Sequence, residues 1–233
     1  GGRRASGGTC GRLADRCSPS IRRLERALTQ SEIANEFATQ RFVDVGSARV
    51  CHRRAGRGPA LVLLHGFPLS GLTWRKLVPV LAQRFTCHAF DLVGFGEISS
   101  LVAADFSSEG QAAVLQCALR ALNVSSYALI GNDTGGWIAR ELALLEPERV
   151  THLLLTNTEI PGHRPPWIPL YQALAGLPGA GFGFRRVLAS RSLRRSALGF
   201  AGCFTDLDLI DGEFSDLFVA PLRFGMARQR PTS

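Results

Sequence analysis

Between residues 131 and 136 the chain reads Gly-Asn-Asp-Thr-Gly-Gly, directly after the apolar run Tyr127-Ala-Leu-Ile130 and directly before a stretch with helical spacing. A polar residue flanked by small ones at such a junction is the pattern of a nucleophile on a sharp strand-to-helix turn. Close approach of the two backbones there leaves room only for Gly or a similarly small residue. The central residue is Asp133. A carboxylate, with a reference pKa of about 3.9, is already ionised at neutral pH. It can attack a saturated carbon in line and displace a leaving group without first losing a proton, and the product is an ester of the protein itself. The competing reading is a helix cap, with Asn132 or Asp133 accepting from the first amides of the following helix. A cap needs an Asx residue but not three small residues in register around it, which favours the turn.

A carboxylate so placed has to be carried by a sheet, and the flanking sequence supplies one. Phe42-Val-Asp-Val45 and Ala48-Arg-Val-Cys-His-Arg53 have strand composition and are separated by Gly46-Ser47, the pattern of an opening hairpin. Ala60-Leu-Val-Leu-Leu64 is a short continuous apolar run, as a parallel strand buried on both faces requires. Apolar positions recur at helical spacing from Leu72 to Gln83, and Phe85 to Phe90 is a further apolar strand that ends at Asp91. Ser107 opens a helix reaching Leu122, Ser126 to Ile130 is the strand that runs into the turn, and Gly135 to Leu145 is a helix halted by Glu146-Pro147. Val150 to Thr156 makes one more strand. Alternation of this kind predicts an α/β fold with a mostly parallel sheet.

From Ile160 to Leu222 the character changes to Pro-punctuated helical segments, which predicts a helical cap inserted after the strand ending near Thr156. The expected organisation is a tail over residues 1–40, partly helical near 21–28, a core over 41–159, a cap over 160–222 and a terminal tail over 223–233. The 233 residues suffice for one such domain and not for two. The net charge of +8 is carried almost wholly by arginine, Lys76 being the only lysine, and Lys76 lies outside any Gly-rich loop, which excludes a GxxxxGK nucleotide triphosphatase. The arginine clusters at 53–54 and 185–195 read as solvated surface, because no recognition motif or aromatic platform accompanies them, so no nucleic-acid partner is expected. Six cysteines without paired spacing point to no disulfide framework, no metal site and a reducing, cytoplasmic setting. No run of 18 apolar residues occurs, so no membrane partner is expected either.

Two further motifs make the pattern specific. His65-Gly-Phe-Pro68 follows an apolar strand, and Asp91-Leu-Val-Gly-Phe-Gly96 follows the next. With Gly131 to Gly136 they resemble, in order and spacing over about residues 41 to 222, the HGxP loop, D-x-x-G-x-G turn and elbow of the α/β hydrolases. Asp at the elbow centre resembles the subgroup of epoxide hydrolases, haloalkane dehalogenases and fluoroacetate dehalogenases. The resemblance implies an α/β-hydrolase fold and a cofactor-free hydrolase acting on epoxides or halogenated aliphatic compounds, that is, on a small apolar electrophile. Asp133 would be the nucleophile, and the backbone N–H groups of Phe67 and Thr134 the oxyanion donors.

The chain also departs from that family's pattern. Members carry a general-base His after the last strand, whereas the five histidines here, His52, His65, His88, His152 and His163, all lie at or before the start of the cap. The expectation is a chain that stops before the final strands, the His and the acid. In part of the dehalogenase group the acid follows the strand before the cap, which nominates Glu159, while register against the strand end nominates Asn157. Asn157 could instead bind a leaving group or simply turn the chain. Dehalogenases usually place Trp directly after the nucleophile; here Thr134 stands there and Trp137 follows three residues later. Epoxide hydrolases donate to the epoxide oxygen from cap tyrosines, for which Tyr171 is the one cap candidate. Trp167 with Phe182, Phe184 and Phe200 either lines an apolar pocket or packs the cap. Two other functions stay open: an ester or carbon–carbon hydrolase of the same fold, and a catalytically inactive fragment.

Overall fold

A computed structural model describes residues 28–46, 48–94, 105–158, 160, 162, 170, 173–174 and 177–225. Six strands, β1 (Gln40–Val45), β2 (Ala48–Ala55), β3 (Ala60–Leu64), β4 (Thr86–Phe90), β5 (Tyr127–Asn132) and β6 (Val150–Thr156), form one sheet in the order β1-β2-β4-β3-β5-β6. The hairpin β1–β2 and the pair β2–β4 are antiparallel, and the rest is parallel. The hairpin turns where Gly46 takes φ 57°, a left-handed conformation that a side chain disfavours.

Strand β3 shows why the centre of the sheet is so apolar. Its alternate side chains feed two cores, Val62 and Leu64 on one face and Leu61 and Leu63 on the other. Helices α3 (Ser108–Ala121) and α4 (Thr134–Leu145) cover the first face with Ala112, Leu115, Leu119, Ile138 and Leu142. Burial of each such leucine or isoleucine contributes about 1.5–3 kcal/mol, so these stripes dominate what holds the helices to the sheet. Ser107 begins α3 as its N-cap, its hydroxyl accepting from Gly110 N–H at 3.0 Å.

The second face differs from the sequence reading in three respects. A helix α1 (Gln30–Ala38), closed at its start by a Thr29/Glu32 capping box, lies within the stretch read as a tail and buries Ile33 and Phe37 against β3 and Trp74. The stretch Leu72 to Gln83 is not one helix but a 3-10 segment Gly71–Lys76 followed by the short α2 (Val78–Leu81). Pro79 explains the break, because its missing N–H suits the opening of a helix and not its interior. The arginines are not all solvated surface. Arg53 is only 5% exposed and donates to Ala38 O at 2.7 Å, closing the C-terminus of α1 from the neighbouring strand. Arg194 is also buried, and it donates to Leu188 O at 2.7 Å.

Strand β6 is the outer strand of the parallel half, and its Leu153 and Leu154 are exposed. Beyond it, the segment read as a cap carries α5 (Ala180–Ala189), α6 (Arg191–Arg194), two 3-10 turns, a π-helical turn Ser215–Val219 and α7 (Ala220–Gly225). Glu213 ties this segment to the core through Arg75 Nε at 2.7 Å and Lys76 Nζ at 3.2 Å. Among the described residues no helix is long and apolar enough to cross a membrane.

Candidate active site

Strands β4, β3 and β5 lie side by side and parallel, so their carboxyl ends bring Asp91, the His65–Pro68 loop and Asp133 to one edge of the sheet. Asp133 sits between β5 and α4 with φ 52° and ψ −123°. That is a region a side chain occupies at a cost of about 1–3 kcal/mol, so the surroundings must impose it. They do so through the backbone: Asp133 N–H donates to Thr156 O at 3.0 Å on β6, and Gly136 N–H donates to Asp133 O at 2.8 Å.

The flanking glycines are steric requirements. A Cβ on Gly131 would lie 2.5 Å from Gly135 O, one on Gly135 would lie 2.5 Å from both Leu64 O and His65 O, and one on Gly136 would meet the Thr158 side chain. Gly66 has the same role from the facing loop, where an added Cβ would lie 2.6 Å from both Cβ and Oδ2 of Asp133. The nucleophile candidate therefore rests directly on the backbone of the His65–Pro68 loop.

Asp133 occupies the N-cap position of α4, but its side chain makes no capping hydrogen bond. Instead Oδ2 accepts the N–H of Phe67 at 3.1 Å across the gap between the two loops. The cap reading of this residue therefore has no hydrogen bond behind it. Thr134 is the first residue of α4, so its N–H has no acceptor within the helix, and the helix start adds a positive field.

The loop is held rigidly. Leu92 N–H donates to His65 Nε2 at 2.9 Å, which leaves the ring proton on Nδ1, where it reaches Gly66 O at 2.9 Å. Burial lowers the His65 pKa below its usual value, so the ring is a neutral strut between the two loops. Asp91 Oδ1 accepts Gly71 N–H at 2.7 Å, and Gln111 Oε1 accepts Val93 N–H at 2.8 Å. Phe106 packs against Gly94, with an added Cβ there only 2.7 Å from its ring. Phe67 and Phe106 are both exposed, giving this edge two aromatic faces.

Of the other residues nominated from the sequence, Asn157 follows β6 with φ 48° and is exposed, in keeping with a turn residue. Trp137 lies in the first turn of α4 with the Arg140 guanidinium 5.0 Å from its ring centroid. Glu159, Trp167, Tyr171 and His163 lie outside the described residues. His52 and His88 are buried partners, Nε2 to Nδ1 at 3.1 Å, while His152 is exposed on β6. Sequence reasoning missed the link from Asn132 Nδ2 to Thr156 Oγ1 at 2.9 Å, which only the pairing of β5 with β6 creates. Among the described residues no group of three or more His, Cys, Asp or Glu is placed to hold a metal ion. A surface depression of about 340 Å³ lined by Arg120, Asn123, Val124, Ser125 and Arg149 lies at the opposite, amino edge of the sheet.

Residues 59–197 match the family model described as alpha/beta hydrolase fold. A fluoroacetate dehalogenase from a Burkholderia species is 36% identical over 122 residues, covering 51% of this chain and 40% of that protein. A pimeloyl-[acyl-carrier protein] methyl ester esterase from Aeromonas hydrophila is 40% identical over 114 residues, 46% of this chain and 41% of the esterase. The bifunctional epoxide hydrolase 2 of Sus scrofa is 39% identical over 105 residues, 44% of this chain and 19% of that protein. The chain thus spans less than half the length of each of these relatives.

Proposed function

This chain belongs to the alpha/beta hydrolase fold family, and from that premise we propose that it is a hydrolase whose Asp133 forms a covalent alkyl ester with an epoxide or a halogenated aliphatic compound. The observation that carries the reading is the placement of Asp133, a side chain on a strained turn whose Oδ2 faces the Phe67 amide at 3.1 Å instead of capping its own helix.

One carboxylate oxygen attacks the saturated carbon. The carbon–oxygen bond of the epoxide, or the carbon–halogen bond, breaks as the ester bond forms, and the leaving oxygen or halide departs with the electron pair. In the second half-reaction water adds to the ester carbonyl as its proton passes to a base from solution, and the charge gathers on the carbonyl oxygen, one of the two Asp133 oxygens, facing the N–H groups of Phe67 and Thr134. The bond from the acyl carbon to the alkyl oxygen then breaks, releasing the alcohol and restoring the carboxylate. Loss of one of those N–H donors costs about 3–4 kcal/mol of barrier. The exposed rings of Phe67 and Phe106 at the same edge favour an apolar substrate. Similarity to a fluoroacetate dehalogenase and to an epoxide hydrolase, whose names both imply attack on saturated carbon, supports the same chemistry. Similarity to a methyl ester esterase supports a second reading, hydrolysis of an acyl ester in the same site.

Alkylation needs no histidine, so the test uses the first half-reaction alone. Intact-mass spectrometry after incubation with styrene oxide or a short alkyl bromide should show one adduct per chain, located at Asp133 and absent from Asp133→Asn. An adduct at any other residue, or none, refutes the alkyl-ester reading. Turnover of p-nitrophenyl esters that survives Asp133→Asn would refute both.

A further inference from the structure

We propose that Asn132 and Thr156 form a bracket that aims the Asp133 carboxylate, a positioning function resting on the alkyl-ester reading above. Asn132 pairs with Thr156 across β5 and β6. Its side-chain Nδ2 donates to Thr156 Oγ1 at 2.9 Å and lies 3.4 Å from Thr156 O. That same carbonyl accepts Asp133 N–H at 3.0 Å. One β6 residue thus holds the entrance to the turn at two points, one through its backbone and one through its hydroxyl.

The geometry gives this bracket work to do. On its inner side the turn is fixed by backbone packing: Gly135 against Leu64 and His65, and Asp133 itself against Gly66. On its outer side stands β6, the outer strand, most of whose side chains are exposed. The backbone at Asp133 is strained, so without an outer restraint it relaxes toward a less costly φ and carries the carboxylate with it. A shift of about 1 Å in a reacting atom can cost on the order of 100-fold in rate, so even partial relaxation is measurable. The polarity is fixed as well: Thr156 O beside the side chain requires the amide nitrogen of Asn132 there, because an oxygen would meet it lone pair to lone pair.

The test compares variants of the full chain, with folding checked by circular dichroism and thermal midpoint. Thr156→Val removes Oγ1 at nearly constant shape, Thr156→Ser keeps it, and Asn132→Ala removes the donor. The saturating rate of Asp133 labelling by styrene oxide should fall about 10-fold in Thr156→Val and in Asn132→Ala, with the half-saturating concentration within about two-fold of the parent. Thr156→Ser should restore the rate to within about two-fold, and the double variant should be no slower than either single one, because both break the same link. Labelling of Thr156→Val at the parent rate overturns the proposal and leaves the alkyl-ester reading intact. If the parent chain is never labelled at Asp133, that reading fails, and the bracket is judged by amide hydrogen exchange at Asp133. Exchange about 10-fold faster in Asn132→Ala supports the bracket, and an unchanged rate overturns it.

Discussion

Asp133 precedes the first residue of α4, and Glu146 follows its last. Both are carboxylates at the ends of one helix, yet their surroundings differ in kind. The Glu146 side chain is 1% exposed and is met by Tyr127 Oη at 2.8 Å, Arg120 Nη2 at 3.2 Å and Arg149 Nη1. Burial by itself would raise its pKa, but the hydrogen bonds from Tyr127, Arg149 and Arg120 outweigh it and the carboxyl is lowered. It stands at the negative end of the helix dipole, which those two guanidinium groups offset. Asp133 stands at the positive end, is half-buried, occupies strained backbone and meets a main-chain N–H of a facing loop. A carboxylate enclosed by cations and a phenol is committed to the fold. One that accepts a main-chain N–H from a facing loop at the edge of a sheet is placed for the role proposed above.

The strongest way to break this contrast is Asp133→Asn, which should lower the labelling rate by roughly 10⁴-fold, measured by intact mass, while leaving the fold unchanged. Glu146→Ala should do the reverse. Removing the buried centre of its cluster should cost about 3 kcal/mol in urea unfolding and leave the labelling rate of the folded fraction within about two-fold of the parent. Gly66→Ala probes the contact between loop and carboxylate. Its methyl enters the space of Asp133 Cβ and Oδ2, so labelling should fall about 100-fold with a stability loss of about 1–3 kcal/mol. Asp133→Gly sharpens the comparison by a change of sign, because it should abolish labelling yet raise stability by about 1 kcal/mol as the strained φ passes to a residue that tolerates it.

A separate effect, on stability alone, concerns acid, away from both carboxylates. Burial, then the neighbouring charges, lowers His52 to about 3 and His88 to about 4, from an ordinary value of 6.5. Between those values and 6.5 the unfolded chain binds protons that the folded chain refuses. Stability is therefore fully present above about pH 6.5 and falls as pH drops toward 4, with a limiting slope of about 1.4 kcal/mol per pH unit for each ring. Urea unfolding at pH 7, 6 and 5 should show that slope, and His52→Gln should reduce it.

Much of the site was readable in the residues themselves. The glycines at 131, 135 and 136 announce a steric demand that is local in sequence, and in the structure a Cβ added at any of them would come within 2.5 Å of a neighbouring atom. Strands β3 and β4 were legible because each is a short, largely apolar run. What escaped depends on which strands are neighbours. The pairing of Asn132 with Thr156, the buried His52–His88 contact and the use of Arg53 to close α1 each join residues at least 15 positions apart. The break at Pro79 was legible in principle, but the apolar spacing on either side of it concealed it.

The Phe67 amide has one hydrogen to give, and in the resting molecule it gives it to Asp133 Oδ2. In the reaction proposed above, the other oxygen, Oδ1, forms the ester, and Oδ2 becomes the ester carbonyl oxygen on which negative charge gathers when water adds. Steadying the resting side chain and sheltering the later anion are then one contact, kept by the same two atoms from the start of the cycle to its end.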